Sequence, residues 1–296
     1  MGGFLAALGD KLAEKWLALL VLPGLLLVGV AAGGRVLGQQ HPFDADRLSR
    51  RIDTLAAEPA AHATGTVVLL SAAVLAASAG VGLLAAVLGG AVERLWLGEW
   101  PGWAAPAASA LSGRRQRRWD VAQERYRAAV SARVRGTGAP DTVHLNEVRN
   151  RIALARPLRP TWMGDRLVAA DSRVHRVYDL DLGFAWPRLW LVLPDAARTD
   201  LLAARTAVVA AARRGGWALL YLAVGGWWWP AAVIGLVGLP AAWYQAREAV
   251  SAHAELVESA VDLYGRDLAA ALGVPCPDGF TREVGLAVTR LVRKGV

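Results

Sequence analysis

Four stretches of this chain carry apolar side chains with no charge among them. The first runs from Trp16 to about Ala32. Its roughly 17 residues would form a helix about 25 Å long, a slightly short match to a hydrocarbon core of ~30 Å. Lys11, Glu14 and Lys15 precede it. A signal peptide is the rival reading, but its apolar region would be shorter and followed by a small-residue cleavage site, so a retained helix is expected. The second stretch, Thr66 to Val92, has no ionisable side chain. At about 27 residues it is long enough to cross a bilayer even when tilted. Ala72, Ala76 and Gly80 fall on one line along it, and Ser78 and Gly82 on another; such small residues let helix backbones approach closely in lipid. The last two stretches lie in Gly215 to Tyr244, split by Trp227-Trp228-Trp229-Pro230. Each half is only ~14–15 residues, short of the ~20 a span needs. A crossing hairpin is expected, its tryptophans at the far interface. The deficit is met by extending the first helix back through Leu201, with Arg213 and Arg214 snorkelling.

The intervening segments are polar. Residues 34–65 form a connector in which Arg47, Arg50 and Arg51 balance Asp44, Asp46 and Asp53, with a short helix closed by Glu58-Pro59. After Val92 come Trp96, Trp100 and Trp103, spaced like an interfacial belt, and then Arg114, Arg115, Arg117 and Arg118. An arginine run beside a span marks the cytoplasmic side. That puts the middle segment, to about Asp200, in the cytoplasm, the connector outside, and both termini inside. Helices are expected over about 118–135, 141–155 and 163–172, with a loop at 136–140 and a break at Arg156-Pro157-Leu158-Arg159-Pro160. Val177 to Leu193, interrupted by Pro187, is too short to span. It is either the core of a small module or a segment lying on the membrane with Trp186 and Trp190 at the interface. Beyond Tyr244, Val250, Ala254, Val257, Val261, Tyr264 and Leu268 form a heptad seam. One long helix is therefore expected as far as Gly273, with Leu201, Ala204, Val208 and Ala211 packed antiparallel to it. A basic helix closes the chain over about 281–294.

The pattern predicts a mainly α integral membrane protein with four hydrophobic helices in a two-plus-two arrangement and an Arg-rich cytoplasmic domain between the pairs. Its parts are 1–95, with spans at about 16–33 and 66–92; the Arg-rich domain, 96–200; a helical hairpin, 201–273, with its membrane tip at 215–244; and 274–296.

Composition agrees. The 296 residues are 55% hydrophobic and 20% charged, against roughly 45–50% and about 25% for soluble domains. Mean hydropathy is +0.32. Disorder is excluded by so much apolar surface, and a disulfide scaffold by the single Cys276. The net charge of +8 is carried almost wholly by arginine, the lysines being Lys11, Lys15 and Lys294. Guanidinium forks suit phosphate and carboxylate, but GC-rich coding would give the same bias.

Catalytic patterns are sparse. Gly80-Val81-Gly82-Leu83-Leu84-Ala85 matches a dinucleotide fingerprint in form but lies inside an expected membrane helix. Asp179-Leu180-Asp181 could hold a divalent cation, though a lone D-x-D more often marks a turn. His41, His62, His144, His175 and His253 share no zinc spacing, and Cys276 sits between prolines far from a histidine. No metal, cofactor or nucleic-acid partner is expected. The expected contacts are the bilayer and its anionic headgroups, touched by Arg114, Arg115, Arg117 and Arg118. Trp96, Trp100, Trp103, Trp217, Trp227, Trp228, Trp229 and Trp243 serve as interfacial anchors.

Pro160-Thr161-Trp162-Met163-Gly164-Asp165-Arg166-Leu167, with Tyr178-Asp179-Leu180-Asp181 and Trp186-Pro187-Arg188-Leu189-Trp190 after it, resembles a segment of a group of bacterial multi-pass membrane proteins with no assigned activity. The resemblance implies architecture and no site. The function expected is a non-enzymatic anchor in the cell membrane that docks a cytosolic protein partner. The alternative is a pore built as a homo-oligomer through the small-residue faces and the heptad seam. An enzyme using Asp179 and Asp181 as metal ligands is the third reading.

Overall fold

A computed structural model describes residues 21–59, 63–137 and 141–294. The regular elements among them are all helical, as the mainly α reading requires. They are α1 (Leu22–Leu37), α2 (Ala45–Ala56), α3 (Thr64–Trp96), a 3-10 turn at Gly102–Ala104, α4 (Ala105–Val134), α5 (Thr142–Ile152), α6 (Trp162–Tyr178), α7 (Leu182–Val192), α8 (Asp195–Val224), α9 (Trp229–Ala271) and α10 (Arg282–Val292). The chain divides into two compact units: the described residues up to Val92 with Ala210–Tyr244, and Glu93–Val209 with the chain from Gln245 onward. Helices α3, α8 and α9 each give residues to both.

Two helices, α3 with 33 residues and α8 with 30, are long and apolar enough to cross a membrane. The expectation of four spans is met only to that extent. The described part of the first stretch, α1, is apolar but has 16 residues, and residues 16–20 lie outside the described ones. The apolar start of α9 belongs to a 43-residue helix that goes on into charged sequence. Helix α1 also runs past Ala32, because nothing in Gly33-Gly34-Arg35 stops it; it ends where Gly38 turns left-handed, at φ 68°.

In the first unit, helices meet at glycines. A Cβ on Gly24 would fall 2.1 Å from the Ser78 carbonyl oxygen, and one on Gly216 2.6 Å from that of Ala85. One on Gly235 would fall 2.7 Å from that of Ala218. On α3 the buried line is Ser78, Gly82, Ala85, Gly89 and Val92. The Ser78 hydroxyl is satisfied within the helix, donating to the Val74 carbonyl at 2.7 Å. Of the two small-residue lines read from sequence, this one packs inside the chain; Ala72, Ala76 and Gly80 are exposed.

The second unit has its own core, built from Val174, Leu180, Leu182, Ala185, Leu189, Leu193, Leu201, Val261, Leu268 and Val288. One face of the 177–193 stretch, Leu180, Leu182, Ala185, Leu189 and Leu193, lies in this core, while Val177, Phe184 and Leu191 stay exposed. The heptad seam of α9 faces inward, with Val250, Ala254, Val261 and Leu268 each 1% exposed or less. Three further helix boundaries differ from the sequence reading. Helix α4 begins at Ala105 instead of near Arg118, since Pro106 in its first turn needs no N–H partner there. Helix α5 stops at Ile152, where Ala153 turns extended. Helix α6 runs on to Tyr178 and is ended by Asp179 in the left-handed region, at φ 54°.

Candidate functional site

The early start of α4 puts the arginine run inside a helix, where neighbours in sequence point apart. Arg114, Arg117 and Arg118 are exposed. Arg115 shares the inward face with Trp119 and buried Ala122. Inside, α4 holds the extended segment between α5 and α6. Arg115 pairs with Asp165 at 2.7 Å and donates to the Ile152 carbonyl at 2.9 Å. Gln116 donates to the Pro157 carbonyl and Trp119 to that of Ala153. Asp165 accepts from the backbone N–H of Leu158 and of Arg159, both at 2.7 Å. A proline-broken segment has no helical partners for its polar backbone groups, so side chains supply them. Burial pushes the Asp165 carboxyl up, against those two donors and Arg115. Burial also lowers the Arg115 guanidinium; the Asp165 charge opposes this, while repulsion from Arg247 and Arg118 adds to it.

That repulsion marks a cluster. Arg115, Arg118, Arg151 and Arg247 line one pocket of about 430 Å³, walled by Val148, Ile152 and Trp162. The Arg247 guanidinium lies 3.9 Å over the Trp162 ring, a cation–π stack that fixes its plane. A groove of about 400 Å³ adjoins the pocket, sharing Arg118, Val148 and Ile152. Val121 and Leu145 line the groove beside Arg117 and Arg125. Of the four arginines read from sequence, the structure brings Arg115 and Arg118 to the pocket and Arg117 to the groove; Arg114 lines neither. Sequence reading missed Arg151, Trp162 and Arg247. They come from α5, α6 and α9, and only tertiary packing gathers them.

No family model, curated protein or solved structure matches this chain. Its chemistry must be read from its own residues.

The expected tryptophan anchors divide. Trp227 donates its indole N–H to the Ala31 carbonyl at 3.1 Å and Trp228 to that of Pro42 at 3.0 Å. Gln39 accepts from the Trp229 N–H and donates to the Gly225 and Gly226 carbonyls. The triple-tryptophan turn is therefore tied to the end of α1 through protein hydrogen bonds. Trp217 packs in the same cluster, Trp243 meets Tyr244 edge to face, and Trp100 donates to the Leu95 carbonyl. Trp96 is half-buried, and Trp103 is 86% exposed.

The D-x-D carboxylates face arginines. Asp179 pairs with Arg282 at 3.0 Å. Asp181 pairs with Arg293 and caps the start of α7. The Arg293 hydrogen bond holds the Asp181 carboxyl below its ordinary range. Among the described residues, no three His, Cys, Asp or Glu side chains converge as a metal site would require. Cys276 is a free thiol whose Sγ lies 2.9 Å from the Gly279 carbonyl oxygen.

Proposed function

We propose that this chain is a multi-pass membrane anchor whose Arg-rich helical unit docks an anionic cytosolic protein at the inner face of the cell membrane. The observation that carries the reading is the exposure of α3. Its most apolar window is only 11% buried, and Leu69, Leu70 and Val87 are each exposed by about two-thirds. Contiguous apolar surface on that scale is not left in water; a core helix buries it, and a membrane helix gives it to acyl chains. Helix α2 supports the same reading. Leu48, Ile52 and Leu55 share one of its faces, Arg47 and Arg51 flank that face, and none of its residues is buried. Such a helix is suited to lie in the headgroup layer. The sidedness rests on the arginine bias of the second unit's sequence.

The docking face is the rim of the groove, where Arg117 and Arg125 stand beside Val121 and Leu145. Among the described residues no carboxylate comes within ion-pair distance of Arg117, Arg118, Arg125 or Arg151, so their charge is available to a partner. Exposed pairs would add little to folding in any case.

Fractionation tests the membrane reading. Untagged protein should pellet with membranes and resist alkaline carbonate extraction; recovery in the supernatant without detergent overturns it. Sidedness is tested in a Cys276→Ser background. An impermeant maleimide on intact cells should label Asp46→Cys and spare Asp200→Cys. Cross-linking from Arg117 and Arg125 tests docking: a specific acidic protein should be captured, and its loss on charge reversal of both arginines is expected.

A further inference from the structure

We propose that the pocket formed by α4, α5, the start of α6 and α9 binds a phosphate monoester, its oxyanion gripped by Arg118 and Arg151. Four arginines line this one cavity. One carboxylate beside them, Asp165, is engaged by Arg115 and by two backbone N–H groups. Like charges gathered against a partly apolar wall repel, and an anion with more than one charge relieves that repulsion most. The guanidinium fork matches phosphate oxygens in pairs. Arg247 is held against the Trp162 ring and adds its charge to the field at the cavity.

The walls add selectivity. Val148 and Ile152 give the cavity an apolar side, and a charge contact beside apolar groups is stronger than one in open water. A volume of about 430 Å³ is larger than one oxyanion needs and falls within the ordinary range of small-molecule sites, about 300–1,000 Å³. The adjoining apolar groove would accept whatever the phosphate is esterified to. A soluble phosphate ester and an acidic phospholipid headgroup share this chemistry. The inference rests on the docking reading only for the side of the membrane on which the ligand is met. Binding itself is a property of the pocket.

The test uses the full chain in neutral detergent, where sidedness plays no part. Isothermal titration is run with glycerol 3-phosphate, and separately with dioleoyl phosphatidic acid in mixed micelles. Saturable binding of either is expected. Arg118→Gln and Arg151→Gln should each weaken it by about tenfold or more, the loss of one charged hydrogen-bonding group. Arg151→Lys should fall between, and Arg290→Gln, an exposed arginine on α10, should bind like the parent chain. Circular dichroism of each variant guards against misfolding. Binding of the soluble ester assigns the site to a soluble ligand; binding of phosphatidic acid alone assigns it to the headgroup. Failure of both ligands to saturate overturns the proposal, as does binding that ignores both substitutions. Either failure leaves the fractionation and cross-linking results standing.

Discussion

Arg115 and Asp165 meet at 2.7 Å with side chains only 17% and 6% exposed. Burying two charges gains little net stability, but removing one of them strands the other. Asp165→Asn should therefore lower stability by about 3 kcal/mol, since Arg115 would face Arg118 and Arg247 without its counter-charge. Thermal unfolding in detergent measures this, and adding Arg115→Gln should restore part of the loss. His253 gives a pH effect of known sign. Burial lowers its imidazole below the ordinary value; repulsion from Arg205 adds to this, and a hydrogen bond to the Leu201 backbone opposes it. The unfolded chain takes up a proton near pH 6.5 that the folded one refuses, so this residue subtracts stability as pH falls through that range. The drop in melting temperature between about pH 7.5 and 5.5 should be smaller in His253→Gln than in the parent. Little of this was legible in sequence. The arginine run was visible, but which of its members turns inward depends on where α4 begins, and a Pro106 start looks like a loop until the helix is seen.

At the scale of elements, glycines decide how closely helices approach. A Cβ on Gly285 of α10 would fall 1.9 Å from the Tyr178 carbonyl oxygen. The same junction is clamped by the Thr289 hydroxyl, which donates to the Asp179 carbonyl and accepts from the Asp181 N–H. Gly285→Ala should cost about 1–3 kcal/mol, the usual range for overpacking, and expose the last helix to limited proteolysis. Gly216→Val should act likewise where α8 meets Ala85 and Gly89 of α3, read as a lower melting temperature. The elements themselves were largely legible, because apolar periodicity marks them. The α9 seam was found residue by residue: its spacing of four and three is an intrinsic helix signal. The inward line on α3 could not be chosen over its neighbour, since Ala and Gly on both lines pack equally well until a partner helix is placed.

For the whole molecule the deciding property is where apolar area goes. Leu83, near the middle of α3, is 51% exposed. Leu83→Arg separates two solvents: water would welcome the guanidinium, whereas a bilayer centre would charge about 2.5–3.5 kcal/mol for it. The variant is expected to show lower yield in the membrane fraction, measured by quantitative blotting against the parent. A gain in soluble yield would contradict the anchor reading. The hydrogen bonds between Gln39 and the turn at 225–229 join residues 186 to 190 positions apart. They cannot form until the ribosome has passed Trp229. The end of α1 must therefore wait through most of translation with its later partners missing, so closure of this unit belongs to the last stages of biogenesis. A chain stalled before residue 225 would leave Gln39 and the indole acceptors of Ala31 and Pro42 open to whatever insertion factors attend it.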